Sequence, residues 1–256
     1  MTLIACKLLL APLMIGTVTL AGRRFGVVVS GLLVGLPLTS GPISFLLAYE
    51  YGLEFGERAA VASLAGYISN CAFCLAYVWV SRRYGWRRSV AAAIGAFLIS
   101  TAVLSGIPCR LWLAFLSLLS AIGLSAVLIP KERIVEAQPL PPAWDLPARI
   151  AAAVLLTLVL TELADILGPQ LSGLITPFPA FVIILSVFTH SRQSAPAART
   201  LLRGFVLGSP AFAVFYLLVG GTLADWGLLP TYLVASLLAV AVSGLVFAAG
   251  QTARVQ

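Results

Sequence analysis

The stretch "SGLLVGLPLTSGP", Ser30 to Pro42, lies inside an apolar run long enough to cross a membrane, yet holds two prolines, three glycines and three hydroxyl side chains. Proline lacks an amide hydrogen and clashes with the preceding turn, so a helix passing through this stretch should be interrupted. Backbone groups freed in lipid must find a partner, a cavity or a ligand. The interruption therefore needs a reason.

Composition fixes the class. The 256 residues are 61% hydrophobic and only 10% charged, with a mean hydropathy of +1.05. A soluble domain carries about a quarter charged residues. Long apolar windows, rather than ten-residue alternating segments, point to an all-α integral membrane protein and not a barrel. The four cysteines, Cys6, Cys71, Cys74 and Cys109, lie in or beside apolar runs. Cys71 and Cys74 have neither a second ligand pair nor a βαβ context, so they are read as small buried hydrophobes. No metal or other cofactor is expected. The first segment ends without a small-x-small cleavage site and reads as a retained helix.

Apolar runs separated by Gly, Pro and charge clusters give nine expected spans, near 2–21, 25–49, 58–80, 89–107, 110–130, 148–167, 170–189, 200–220 and 228–249. The polar, proline-rich stretch "PKERIVEAQPLPPAWDLPAR" reads as a linker. The expected organisation is a first membrane repeat at 1–130, a cytoplasmic linker at 131–147 and a second repeat at 148–256. Charge checks the count, because short cytoplasmic loops concentrate Lys and Arg. With the N-terminus outside and the C-terminus inside, thirteen of the sixteen basic residues fall on the cytoplasmic side and three, Lys7, Arg58 and Arg110, outside. Glu50, Glu54, Glu57, Glu162, Asp165 and Asp225 fall outside. The net charge of +7 is matched by an anionic inner leaflet and calls for no nucleic acid.

The interruption has an echo in "SGLITPFPAF", from Ser172. A shift of 142 positions aligns Lys7–Pro37 with Arg149–Pro179 without a gap, and eight of the thirty-one pairs are identical. They include Ser30/Ser172, Gly31/Gly173 and Pro37/Pro179. Further on, "RAAVASLAGY" at Arg58 resembles "PAARTLLRGF" at Pro196. Five spans separate the starts of the two copies, so their membrane orientations are opposite. The expected plan is thus an inverted repeat of five plus four helices. Secondary transporters often have this plan, with the substrate site near the midplane where interrupted helices of the two copies meet.

That places an expected solute site at Ser30, Pro37, Ser40, Gly41, Pro42, Ser172, Thr176, Pro177 and Pro179. The competing reading is close packing: "GLLVG" is a small-x-x-x-small face that lets two membrane helices approach. Glu162 and Asp165, one helical turn apart, form an expected cation- or proton-coupling pair, since an ionisable group within a span usually faces a cavity or partner; the competing reading is a solvated carboxylate at the interface, close to the outer end of the sixth span. Glu50 and Asn70 are weaker candidates, and the single histidine, His190, is expected in solvent at a cytoplasmic helix end. No nucleophile, acid and base converge, and no phosphate loop occurs, so no enzymatic activity is expected.

From "SGLITPFPAF" through "GFVLGSPAFAVFYLLV", Ser172 to Val219, the chain resembles the GlpM-type family of small inner-membrane proteins, and the first half is similar more loosely. The resemblance implies a duplicated four-helix module with a link to exopolysaccharide production. In plan alone the arrangement also resembles the drug/metabolite transporter superfamily. The expected function is a multi-pass inner-membrane carrier, secondary transporter or flippase-like, for a small or amphiphilic solute. The alternative is a non-transporting component of envelope or exopolysaccharide synthesis. Expected partners are the bilayer, an unidentified solute and, as an option, a second copy of the chain.

Overall fold

A computed structural model describes residues 2–38, 40–107, 110–132, 144–156, 158–159 and 178–255. Among the described residues there are ten helices and no strand. They are α1 (Thr2–Phe25), α2 (Val27–Val34), α3 (Ser40–Tyr51), α4 (Leu53–Val80), α5 (Trp86–Ser105), α6 (Leu111–Leu128), α7 (145–156), α8 (Ala180–Arg192), α9 (Ala195–Trp226) and α10 (Leu228–Val255). Five of them, α4, α5, α6, α9 and α10, are long and apolar enough to cross a membrane. The protein is a multi-pass α-helical membrane protein.

The expected span at 25–49 is two helices. α2 ends at Val34, the chain leaves helical geometry through Gly35–Leu38, and α3 restarts at Ser40 with Pro42 in its first turn, where a missing amide hydrogen costs nothing. The restart is stitched by the Gly41 amide, which donates to the Pro37 carbonyl at 2.8 Å. A single residue, Gly52, then joins α3 to α4 with φ of 93°, a backbone conformation that suits glycine.

The expected spans at 58–80, 89–107, 110–130, 200–220 and 228–249 appear as the five long helices, with "SGIPCR" separating α5 from α6. α4 starts earlier than expected, at Leu53, because the helix continues past the apolar run through its solvated charges Glu54, Glu57 and Arg58. α9 is longer at both ends. Ser194 caps it by accepting from the Ala197 amide at 3.2 Å, and Pro196 occupies its first turn. Its 32 residues span about 48 Å, more than a bilayer core of about 30 Å. The expected spans at 148–167 and 170–189 are described only in α7 and α8. α7 starts inside the expected linker, so that Asp145 is helical.

α4 and α9 lie side by side at the centre and carry more buried residues than any other two helices. α5 packs on α4 as α10 packs on α9; α3 packs on α4 as α8 packs on α9; and α5 touches α8 as α10 touches α3. α6 fills the groove of the central pair, while α1 leans on α2. The outer faces of α5, α6 and α10 present Leu98, Val103, Leu116, Leu233, Leu237 and Leu245. In water such surfaces would aggregate; in lipid they are the solvent-facing side.

Candidate functional site

The interrupted helix is closed against α9 along its first half, α2. A side chain added at Gly31 would overlap the Leu201 carbonyl oxygen, and one at Gly35 would lie 2.6 Å from the Gly208 backbone. Seen from α9, the atoms met at Gly204 and Gly208 are the Val28 and Leu32 carbonyl oxygens, at 2.6 and 2.5 Å. "GLLVG" thus meets a second small-x-x-x-small motif, "GFVLG". Apolar side chains gain little from each other in lipid, so backbone contact of this kind is what holds two membrane helices.

Of the residues expected to bind solute, Ser30, Pro37, Gly41 and Pro179 are buried, Ser40 is half-buried and Pro42 is exposed. Ser30 does not face a ligand space: its hydroxyl donates to the Val18 carbonyl of α1 at 3.2 Å. The pocket at the break is apolar and holds only about 30 Å³, lined by Met14, Val18, Leu33, Leu36, Phe181 and Leu185. Ser172, Thr176, Pro177, Glu162 and Asp165 lie outside the described residues. Asn70 is buried within α4 and Glu50 is exposed near the end of α3.

Buried polar groups gather instead in three tiers around the central α4–α9 pair. The first lies behind α3. Ser44 and Tyr232 share a hydrogen bond at 2.7 Å, and the Phe215 ring packs against both Tyr232 and the buried Tyr216. Phe215 closes this tier from one side, its ring 3.2 Å from where a side chain at Gly41 would begin. The second tier joins Tyr67 of α4 to Ser209 of α9 at 3.1 Å. Ser209 also donates to the Phe205 carbonyl at 2.8 Å, beside Pro210, whose missing amide leaves the helix ladder incomplete. In the third tier, Tyr77 of α4 meets Nδ1 of His190 at 3.1 Å and donates to the Ser186 carbonyl at 3.4 Å. His190, expected in solvent, is half-buried against that phenol.

Ser44 and Ser186 are 142 positions apart, the shift that aligns the two interruptions, and each meets a tyrosine of another helix, Tyr232 of α10 and Tyr77 of α4, although the tyrosines are not related by that shift. Sequence reasoning assigned no role to these tyrosines or to "GFVLG".

A charged cluster lies where α1, α7 and α8 meet. The fully buried Asp145 accepts from Arg149 at 2.9 Å and from Arg23 at 3.2 Å. Arg149 lies over the Phe188 ring and Arg192 over the Trp144 ring. Nearby, Arg199 pairs with Glu132 at 2.7 Å and donates to the Ser81 carbonyl at 3.3 Å, and Arg203 donates to the Ala126 and Ile129 carbonyls. These bonds tie α9 to the ends of α4 and α6. Sequence reading had placed Asp145 in the linker and given it no role.

Chemically, the seam offers hydroxyls, an imidazole and amide groups. These can exchange hydrogen bonds with a neutral or zwitterionic solute. Among the described residues no three His, Cys, Asp or Glu side chains come close enough to hold a metal ion, and Cys71 and Cys74 are buried free thiols. No protein-family model matches the chain, and no curated protein or solved structure is detectably similar to it.

Proposed function

We propose that the chain is a nine-span inner-membrane carrier, built as an inverted repeat of residues 1–130 and 148–256, that moves a small or amphiphilic solute by alternating access. The observation that carries this reading is the pair of buried Tyr–Ser contacts, Tyr232 to Ser44 and Tyr77 to Ser186, whose serines lie 142 positions apart. The packing of α3, α4 and α5 around α8, α9 and α10 exchanges in the same way, as two inverted copies would. In such a carrier each Tyr–Ser contact closes one side of the central seam, and only one need open at a time. Glu162 and Asp165 would supply coupling charge, and the likeness to GlpM-type proteins accords with a duplicated module.

Cysteine pairs test this. Ser44→Cys with Tyr232→Cys, cross-linked by a short bifunctional reagent, should fix one side shut while a single cysteine on the other side still reacts with a water-soluble maleimide. Ser186→Cys with Tyr77→Cys should do the converse. If either cross-link leaves reactivity elsewhere unchanged, the seam does not alternate.

The second reading is a non-transporting component of envelope or exopolysaccharide synthesis. It is favoured by one observation, the backbone-to-backbone closure of Gly31 and Gly35 on Gly204 and Gly208, which leaves only a small apolar pocket at the described half of the break. A static seam in the cross-linking experiment supports it.

A further inference from the structure

Between α4 and α5 the loop "RRYGWRR" presents four arginines, Arg82, Arg83, Arg87 and Arg88, all exposed. None makes a salt bridge among the described residues, whereas Arg23, Arg149 and Arg199 are all paired with a carboxylate. The loop is short and held at both roots. Ser81 is buried and donates to the Val78 carbonyl at 2.9 Å; Ser89 is fully buried and donates to the Gly85 carbonyl at 3.1 Å. The amides of Arg83 and Tyr84 both bond to the Val80 carbonyl, at 3.1 and 3.0 Å. Its backbone is therefore set before any partner arrives, which lowers the ordering cost of binding.

Two rings organise the guanidinium groups. Arg87 lies 5.3 Å from the Trp86 ring centroid and Arg88 lies 5.1 Å from that of Tyr84. A guanidinium stacked on a ring keeps its N–H edge free for a phosphate. Arg83, Tyr84, Gly85, Trp86, Arg87 and Arg88 border one shallow patch open to the surroundings. The first-turn amides of α5 add to it, since Gly85 offers no side-chain cap.

We propose that the "RRYGWRR" loop is a binding site for the phosphate headgroup of an anionic phospholipid, held by Arg83, Arg87 and Arg88. The helices on either side are both long and apolar enough to span a membrane, so the loop lies at a bilayer surface. Trp79 and Tyr84 are largely exposed beside it, at the level where aromatic side chains meet headgroups. Four unpaired cations at that level are matched by an anionic lipid and not by a zwitterionic one. This inference does not depend on whether the chain carries a solute.

The test is native mass spectrometry of the full-length protein, released from detergent containing equal amounts of phosphatidylglycerol and phosphatidylcholine of the same acyl chains. The wild type should retain phosphatidylglycerol about tenfold or more over phosphatidylcholine. Arg83→Gln with Arg87→Gln and Arg88→Gln should bring retention of the two lipids level, while Arg110→Gln, at the N-terminal end of α6, should leave the preference unchanged. If the triple variant is not recovered folded, Arg87→Gln and Arg88→Gln singly should each reduce the ratio. Equal retention of both lipids by the wild type, or an unchanged ratio in the variants, overturns the proposal. So does full displacement of phosphatidylglycerol by millimolar inorganic phosphate, which would make the loop a free-anion site.

Discussion

Gly31 of α2 and Gly204 of α9 cross with no side chain between them: a Cβ at Gly31 would overlap the Leu201 carbonyl oxygen, and a Cβ at Gly204 the Val28 carbonyl oxygen. The atoms met are backbone, which cannot rotate away. Gly31→Ala and Gly204→Ala should each force the helices apart and lower stability by about 1–3 kcal/mol, the range for overpacking. Gly123→Ala, at an exposed position in α6 with nothing within 4 Å, should be neutral or gain up to about 1 kcal/mol from helix propensity. Thermal unfolding in detergent measures all three. Equal behaviour of the three variants would mean that the crossing is looser than described.

The Asp145 cluster gives a second prediction. Its carboxylate is fully buried and holds Arg149, itself buried, together with Arg23. Asp145→Asn leaves Arg149 without a compensating charge, and breaking one partner of a buried pair costs about 3–5 kcal/mol. Glu54→Gln removes a pair that is 3.9 Å long and almost fully exposed on both sides, and should change little. A double-mutant cycle of Asp145→Asn with Arg149→Met should recover part of the loss. Additive losses would show that the two groups act separately.

A third prediction separates stability from mechanism. Tyr77→Phe and Tyr232→Phe each remove a buried hydroxyl contact and should cost about 0.5–1.5 kcal/mol. In a carrier the two should also act oppositely: loss of the Tyr232 hydroxyl favours opening on its side, and loss of the Tyr77 hydroxyl favours opening on the other. Maleimide labelling of Ser63→Cys and Ser186→Cys in each background reads the direction. Changes of the same sign at both positions would reduce the tyrosines to packing groups.

Ser44 supplies a fourth. Ser44→Ala leaves the Tyr232 hydroxyl without its 2.7 Å partner and should destabilise by about 1–3 kcal/mol, whereas Ser120→Ala on exposed α6 removes only a bond to its own helix and should cost almost nothing. Chemical unfolding in mixed micelles compares them. If Ser44→Ala is as mild as Ser120→Ala, the tier behind α3 does not contribute to the fold.

The long helices were legible in the sequence because crossing a bilayer imposes a length and a composition that no packing detail can override. The break at Pro37 was legible for a local reason, the missing amide hydrogen. What it packs against was not. Gly204 and Gly208 look like ordinary glycines in an apolar run until α2 is laid across them. Asp145 was hidden for the opposite reason: it sits among the prolines and charges of an expected linker, where a solvated carboxylate is the normal reading. The tyrosines read as core aromatics, and only their serine partners on other helices reveal a hydroxyl seam. His190 looked solvated because its sequence neighbours are polar, yet its nearest partner is Tyr77, 113 positions away.

The most direct test of the carrier reading is cysteine accessibility at Ser40 and Thr176, one in each of the two proline-containing stretches, in intact membranes and in a background lacking the four native cysteines. If the account is right, Ser40→Cys and Thr176→Cys both react with a small water-soluble thiol reagent, and prior labelling from one side lowers labelling from the other. If neither reacts while cysteines placed in the loops do, the interruptions are closed packing joints, and the alternating-access account is wrong.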